Sequence, residues 1–179
     1  MATTFAFAET RGGELRKVGL EAVTAARQLA DATGGGEVHA MIAGAPGIAG
    51  KAELLAAHGA DVVFVVEHAG LALYSPEVLG ATAAAAIKAG SYRAAVFSAS
   101  AQGRDLAPRV AAKLGVSLAA DVTSLAPKGD AIIVTHPVNT GKVIATLSLT
   151  GTPAVVSVRP GAVTPERRPV ASRVEAVAP

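Results

Sequence analysis

The residues best placed to do chemistry lie in the stretch SASAQGRD, which follows the fourth short apolar run of the chain. Ser98 and Ser100 offer hydroxyl groups, and Gly103 allows a close backbone approach. Arg104 carries a permanent positive charge, and Asp105 fits the N-cap of the helix that follows. Ligands of open α/β sheets collect beyond the carboxyl ends of strands. These residues therefore form either a ligand site or a structural or subunit contact, and the sequence leaves both interpretations open.

A second stretch, APGIAGKA at residues 45–52, is similar in spacing to a phosphate-binding P-loop but departs from it at three positions. Ala45 stands where the first glycine belongs, and Ala52 stands where a Ser or Thr hydroxyl coordinates magnesium. Pro46 also removes one of the backbone donors that such a loop directs at phosphate. We interpret the stretch as a tight turn between a strand and a helix, with Lys51 in solvent.

Other combinations of reactive residues are weaker. The segment ETRGGE at residues 9–14 lacks the Gly-x-Gly-x-x-Gly pattern of dinucleotide sites. Asp121 fits a hydrogen-bonded structural carboxylate better than a general base. The chain has no cysteine, which excludes thiolate catalysis and Cys-ligated metals. Four histidines lie in separate segments without metal-ligand spacing, which favours surface or turn positions. They are His39, His58, His68 and His136.

The elements that must position these residues alternate along the chain. Short apolar runs separated by amphipathic segments are typical of βα units around a parallel sheet. After residue 120, turns rich in Pro, Gly and Asn separate further strands and predict an antiparallel hairpin or meander. The expected early strands are residues 4–8, 38–43, 61–66 and 94–97, and the expected helices are residues 15–30, 51–57, 76–89 and one containing Leu106, Val110 and Leu114.

Composition indicates one folded domain with an aliphatic core. Of the 179 residues, 51% are hydrophobic but only 3% are aromatic, so Ala, Val, Leu and Ile must fill the interior. No apolar run reaches the roughly 18–20 residues of a membrane-spanning helix, and the first residues lack a secretory signal. We expect a cytoplasmic α/β domain over residues 1–161, without membrane insertion. Residues 162–179, rich in Pro and Arg, are predicted to form a linker or an extended arm.

Charge is distributed unevenly along the chain. Residues 1–90 hold six Lys and Arg against nine Asp and Glu, whereas residues 91–179 hold ten against five. The second half therefore carries a net charge of +5, without a basic run longer than a pair. This pattern predicts a surface that faces a partner or an anion rather than a nucleic acid. The candidate contact residues are Arg93, Arg104, Arg109, Lys113 and Arg159.

Several motifs are similar to those of one known family. The longest is GRDLAPRVAAKLG at residues 103–115, and it is followed by DVT at residues 121–123 and VRPG at residues 158–161. LEAVTAAR at residues 20–27 and GAD at residues 59–61 add to the likeness. Together these motifs resemble the N-terminal domain of electron transfer flavoprotein alpha subunits over almost the whole chain.

The resemblance implies an electron carrier rather than an enzyme. Members of the family pair an alpha with a beta subunit, hold FAD, and pass electrons from flavoprotein dehydrogenases to a quinone reductase. The family holds FAD mainly in a second alpha domain, to which residues 162–179 would lead and which we do not expect within these 179 residues. We therefore assign no flavin-binding residue here, expect no FAD on this chain alone, and expect its own role to be assembly with the beta subunit and the FAD domain.

The expected fold is a three-layer Rossmann-like domain of the adenine-nucleotide-hydrolase-like type. Its sheet is expected to be mostly parallel, with an added antiparallel strand pair. One segment departs from the family: HPVNTGK at residues 136–142 lacks the aromatic residue of the expected Tyr-Ala-Gly-Asn turn. Two other functions stay open. One is a stand-alone adenine-nucleotide-binding module that uses residues 9–13 and 98–105, and the other is a purely structural dimer.

Overall fold

The computed structural model describes residues 3–179 as twelve strands and four α-helices, joined by turns. In chain order the strands are β1 (Thr3–Ala8), β2 (Thr10–Arg11), β3 (Glu14–Leu15), β4 (Val38–Gly44), β5 (Val62–Glu67), β6 (Tyr92–Ser98), β7 (Leu118–Val122), β8 (Ser124–Lys128), β9 (Ala131–Val138), β10 (Val143–Leu149), β11 (Ala154–Val158) and β12 (Arg173–Ala176). The helices are α1 (Lys17–Ala32), α2 (Ala52–Ala56), α3 (Pro76–Ala89) and α4 (Ala101–Leu114). Single 3₁₀ turns cover Ile48–Lys51, Ala69–Leu71 and Asn139–Gly141.

The central sheet is parallel throughout and confirms the three-layer α/β prediction. Its order is β12-β5-β4-β1-β6-β11-β7. Because side chains alternate between the faces of a strand, Ala6 and Ala8 of β1 pack with α1 on one face. Phe5 and Phe7 pack with α3 and α4 on the other face. Two apolar clusters, one on each side of the sheet, therefore make the core, and the one beside α1 is aliphatic whereas the one beside α3 and α4 contains the buried aromatic residues.

The antiparallel part has three strands rather than the predicted pair. Strands β8, β9 and β10 form a separate sheet in the order β10-β9-β8. Ile132 and Val134 of β9 are buried in the same cluster as α1, so one face of this small sheet closes the core. The sequence did not predict β8 because Pro127 resembles a turn residue. An edge strand tolerates proline, since one side of its backbone makes no ladder bonds.

The predicted arm at residues 162–179 does not extend away from the domain. It runs back across the outside of α1 and α2, where the Glu166 amide donates to Thr24 Oγ1 at 3.2 Å and the Arg168 amide donates to the Ala57 carbonyl at 2.8 Å. It ends in β12, which adds to the edge of the parallel sheet beside β5. A four-residue strand that pairs with residues about 110 positions earlier has too little local signal to be recognised from sequence.

Helix α4 begins five residues earlier than predicted. Ser100, not Asp105, is its N-cap, and the Ser100 hydroxyl accepts the Gly103 amide proton at 3.0 Å. Both residue types are strong N-caps, so the local sequence alone could not choose between them. As a result Asp105 lies inside the helix and Pro108 falls in its middle rather than in its first turn.

Candidate functional site

An open crevice of about 650 Å³ lies beyond the carboxyl ends of β1, β4 and β6. In the central sheet β4 and β5 lie on one side of β1, and β6 lies on its other side. The order of the strands therefore reverses at β1, next to the crevice. Such points are where open α/β sheets bind ligands. The polar side chains along the crevice are Glu9, Thr10, Arg11, Arg16, Tyr74 and Gln102.

The most buried charge at this crevice belongs to Glu9, which follows β1 directly and is 3% exposed. Its carboxylate accepts hydrogen bonds from Arg16 Nη1 at 2.5 Å and from the hydroxyl of Ser100. The Arg16 amide also donates to the Glu9 carbonyl at 2.9 Å. A buried carboxylate needs such partners, so Glu9 ties the end of β1 to the N-termini of both α1 and α4.

Ser98 and Gly103 also make internal contacts. The Ser98 hydroxyl donates to the Val18 carbonyl in α1 at 2.7 Å. A Cβ atom added to Gly103 would lie only 1.7 Å from the Ser98 carbonyl oxygen. The close backbone approach expected at Gly103 therefore exists, but it is made to the preceding strand.

Arg104 and Asp105 lie closer to the surface. The Arg104 side chain is exposed, and its Nε donates to the Ala99 carbonyl at 3.0 Å. Asp105 accepts from the Tyr74 hydroxyl at 2.8 Å and from Arg109 Nε at 3.0 Å. The hydrogen bond from Tyr74, followed by the one from Arg109, holds the pKa of Asp105 below its ordinary value.

The two loops assigned to adenine-nucleotide binding do line one crevice, at residues 9–13 and at Ala101 and Gln102. However, the hydroxyls of Ser98 and Ser100 already donate hydrogen bonds within the protein, to the Val18 carbonyl and to the Glu9 carboxylate. Contact of Ser98, Ser100, Gly103, Arg104 and Asp105 with a ligand or subunit stays a prediction, as does nucleotide binding.

Backbone amides of the P-loop-like stretch are already hydrogen-bonded to a carboxylate of the protein. Glu67, at the end of β5, accepts the amide protons of Gly47 and Ala49 through one oxygen, each at 2.9 Å. These amides are the donors that a phosphate would need. Lys51, expected in solvent, instead forms an ion pair with Glu14 at 2.7 Å. The stretch is therefore a structural turn.

A polar cluster that the sequence did not predict lies at the carboxyl ends of β7 and β11. Asp121 and Arg159 form a two-pronged ion pair with N–O distances of 3.1 and 2.6 Å. The hydrogen bond from Arg159 lowers the pKa of Asp121. Asp121 has a φ of +56°, a conformation that side chains other than Gly, Asn and Asp rarely adopt. Asp121 belongs to the DVT motif and Arg159 to the VRPG motif, but no local sequence signal predicts that the two motifs are in contact.

The Asp121→Asn variant tests this ion pair. Asparagine keeps the side-chain shape and tolerates positive φ, so mainly the charge is lost. Because the folded-state pKa of Asp121 is depressed, its charge stabilises the fold fully above the unfolded-state value of roughly 4 and loses that effect as pH falls through the folded-state pKa. We expect urea unfolding to show wild type more stable than the variant near neutral pH, with the gap closing below about pH 4. A gap independent of pH would contradict the ion pair.

An apolar surface on β10 was also missed from the sequence. Val143 and Leu147 pair across the small sheet with Val138 and Val134 and therefore share the face that packs onto the core. Val134 is fully buried, whereas Val143 is 52% and Leu147 41% exposed. The core thus covers the inward face of the small sheet at Val134 but not at Val143 and Leu147. We call Val143, Ala145 and Leu147 the β10 overhang.

The histidines do not come together. His39 contacts Tyr92 and Glu37, and His58, which is buried rather than at the surface, contacts the Leu54 carbonyl. Across residues 3–179 no group of three His, Cys, Asp or Glu side chains is arranged to hold a metal ion. None of the helices in that range has the length and apolar character needed to cross a bilayer.

Comparison with known proteins identifies the family. Residues 4–179 match the family model described as the electron transfer flavoprotein domain. The chain is 34% identical over 161 residues to an electron transfer flavoprotein subunit alpha of Syntrophomonas wolfei, which covers 90% of this chain and 49% of that protein. It is 30% identical over 152 residues to the subunit alpha of Bacillus subtilis, covering 85% of this chain and 46% of the relative.

A third relative carries a different name. Protein FixB of Clostridium saccharobutylicum is 36% identical over 161 residues, covering 87% of this chain and 46% of that protein. The chain thus spans about half the length of the curated relatives it matches. Because the family model covers nearly every residue and the resemblance of the motifs agrees with it, this chain belongs to the electron transfer flavoprotein family as the amino-terminal domain of an alpha subunit.

Proposed function

We propose that this domain is the assembly half of an FAD-dependent electron carrier. It docks on a beta subunit and on an FAD-binding domain, and the intact complex passes electrons from flavoprotein dehydrogenases to a quinone reductase. The domain performs no catalytic step of its own, acts in the cytoplasm, and does not bind FAD alone. The family match and the names of the relatives support the electron-transfer part of this role.

The β10 overhang is the observation that supports docking. It continues a buried apolar face onto an edge strand, β10, whose one β neighbour among residues 3–179 is β9. An edge strand of seven residues without a charge along its length is a template for association with another chain. Ile144, which is 56% exposed on the opposite face of β10, extends the apolar surface. A partner that covers this strand would bury Leu147 as Val134 of β9 is already buried.

The Leu147→Asp variant tests the docking surface. Wild type should bind the beta subunit of the same organism in isothermal titration calorimetry. The variant should bind at least about 30-fold more weakly, because an aspartate buried in the interface without a partner costs roughly 2 kcal/mol or more. The purified domain should also show no stoichiometric flavin absorbance.

Leu54→Asp is the matched control. Leu54 lies on α2 and is 40% exposed, close to the 41% of Leu147, so its replacement places the same charge on an equally exposed site. Its affinity for the beta subunit should equal that of wild type. Equal losses in both variants, or no loss at Leu147, would remove the β10 overhang as the docking surface. Stoichiometric flavin on the isolated domain would contradict the assembly role.

A further inference from the structure

We propose that the docking surface continues from the β10 overhang onto Arg104 and Arg159, and that these two arginines receive carboxylate groups of the beta subunit. This inference rests on the proposed function, since it extends the same interface. It adds the chemistry that the partner must present beside its apolar strip. Below, the arginine pair means Arg104 and Arg159.

The position of Arg159 is fixed before any partner arrives. Its guanidinium is held by both oxygens of Asp121, and its amide donates to the Val122 carbonyl at 2.9 Å. The Asp121 amide in turn donates to Ser157 Oγ at 3.1 Å. Although held in this way, the Arg159 side chain remains 41% exposed. A charged group that is both oriented and exposed loses little conformational entropy on binding.

Arg104 approaches the same place from α4. Its Nε donates to the Ala99 carbonyl, and the Ala99 amide donates to the Val158 carbonyl at 2.7 Å, one residue before Arg159. The charge of Arg104 is one of the smaller causes of the lowered pKa of Asp121, in agreement with this hydrogen-bonded connection. Within residues 3–179 no carboxylate lies in ion-pair distance of Arg104. The Asp121 carboxylate is bonded to Arg159 alone, so within residues 3–179 the exposed Arg104 adds a positive charge that no ion pair neutralises.

His136 connects the arginine pair to the β10 overhang. Its Nδ1 lies 3.2 Å from the Asp121 carbonyl. Across the small sheet His136 pairs with Ala145, which shares a face with Val143 and Leu147. One continuous surface therefore runs from an uncovered apolar strand through His136 to a cationic edge. This is the usual layout of a protein interface, with an apolar centre and a polar margin.

Charge at the margin of an interface acts mainly on the association rate and on its dependence on salt. Opposite charge attracts the partner before contact, and ionic strength screens this attraction over roughly 10 Å at 0.1 M salt. A guanidinium also binds a carboxylate through two parallel hydrogen bonds, which fixes orientation. The partner that fits is thus a protein surface with an apolar strip bordered by Asp or Glu.

The Arg104→Glu variant tests the inference in binding kinetics with the beta subunit. At low ionic strength its association rate constant should fall about tenfold or more, and the difference from wild type should shrink as salt is added. The matched control is Arg109→Glu, which reverses the charge one turn along α4. Arg109 is 43% exposed and already pairs with Asp105 and Glu77, away from Arg159. The control should associate within about twofold of wild type.

The outcomes separate this inference from the proposed function. Thermal unfolding of each variant first confirms that it folds. In one outcome wild type binds and Leu147→Asp weakens binding, but Arg104→Glu associates as fast as wild type or as fast as Arg109→Glu. The arginine pair then lies outside the interface, so the inference is wrong while the proposed function stands. If wild type does not bind the beta subunit at all, the proposed function fails and the inference fails with it.

Discussion

Replacing Arg27 by alanine should lower the free energy of unfolding by about 3 kcal/mol, because it removes the donor of the buried Gly36 carbonyl and the counter-charge of the partly buried Asp31 and Asp61. The Arg27 side chain in α1 is only 9% exposed. Its Nε binds Asp31 at 3.0 Å, one Nη binds Asp61 at 2.8 Å, and the other binds the Gly36 carbonyl at 2.5 Å. Asp61 also accepts the Val38 amide at 2.7 Å. This one side chain therefore joins α1 to the starts of β4 and β5.

The control for this prediction is Arg168→Ala. Arg168 pairs with Asp31 as well, but its side chain is 59% exposed. Solvent-exposed ion pairs contribute about 0–1 kcal/mol, so this variant should remain close to wild type. Urea denaturation at neutral pH measures both values. If Arg27→Ala lowered the free energy of unfolding by less than about 1 kcal/mol, the hydrogen bonds of Arg27 would contribute less to stability than the burial of its side chain indicates.

Replacing Gly103 by alanine should cost about 3 kcal/mol or more, even though alanine favours helix over glycine by about 1 kcal/mol. The added methyl group would lie 1.7 Å from the Ser98 carbonyl oxygen and 2.8 Å from the carbonyl carbon. No rotamer relieves this contact, because both the Cβ and the atoms it meets are fixed by backbone. The first turn of α4 must move away from β6, which breaks the bond from the Gly103 amide to Ser100.

Gly50→Ala serves as the control for Gly103→Ala. A Cβ at Gly50 meets nothing within 4 Å, and its φ lies outside the left-handed region. Its unfolding free energy should stay within about 1 kcal/mol of wild type, since only local conformational preference changes. Thermal or urea unfolding of the two glycine variants side by side gives the comparison. If Gly103→Ala matched Gly50→Ala, α4 would not pack on β6 as closely as the structure shows.

The elements with strong local signals were predicted well. Strand β5 is a run of apolar residues, and its predicted range of 61–66 differs from Val62–Glu67 by one residue at each end. Helix α3 begins at Pro76 after Ser75, as the Ser-Pro-Glu pattern predicts, although the Ser75 side chain makes no capping hydrogen bond. Both signals act over a few residues, and local preference therefore suffices to place them.

The elements that were missed depend on distant partners. Strand β12 is exposed at every residue and exists because β5 offers an open edge. At α4 two residues competed for the N-cap position. Ser100 prevails because its hydroxyl also reaches Glu9, a residue 91 positions away that must find partners for its buried charge. No window along the sequence contains that information.

Contact of the five site residues with a ligand or a subunit stays a prediction, and the structure shows where each of them lies. Arg104 and Asp105 lie at the surface as expected of contact residues, whereas Ser98, Ser100 and Gly103 join β6 to α1, α4 and Glu9. The surfaces that support docking, the β10 overhang and the arginine pair, could not be recognised from spacing. The sequence of β10 is that of an ordinary half-buried strand, and only the structure shows that Val143 and Leu147 on its inward face are not covered by the core.

The sequence by itself determined an aliphatic, layered α/β domain, the alternation of its strands and helices, and through its motifs the family. These properties follow from side-chain periodicity, turn residues and composition, which are local or additive. Only the tertiary structure decided which charges meet. Asp121 and Arg159 are 38 residues apart and Arg27 and Asp61 are 34 apart, and the fold brings each pair within hydrogen-bond distance. Such pairs form because a desolvated charge requires a partner, and the chain topology determines which partner lies within reach.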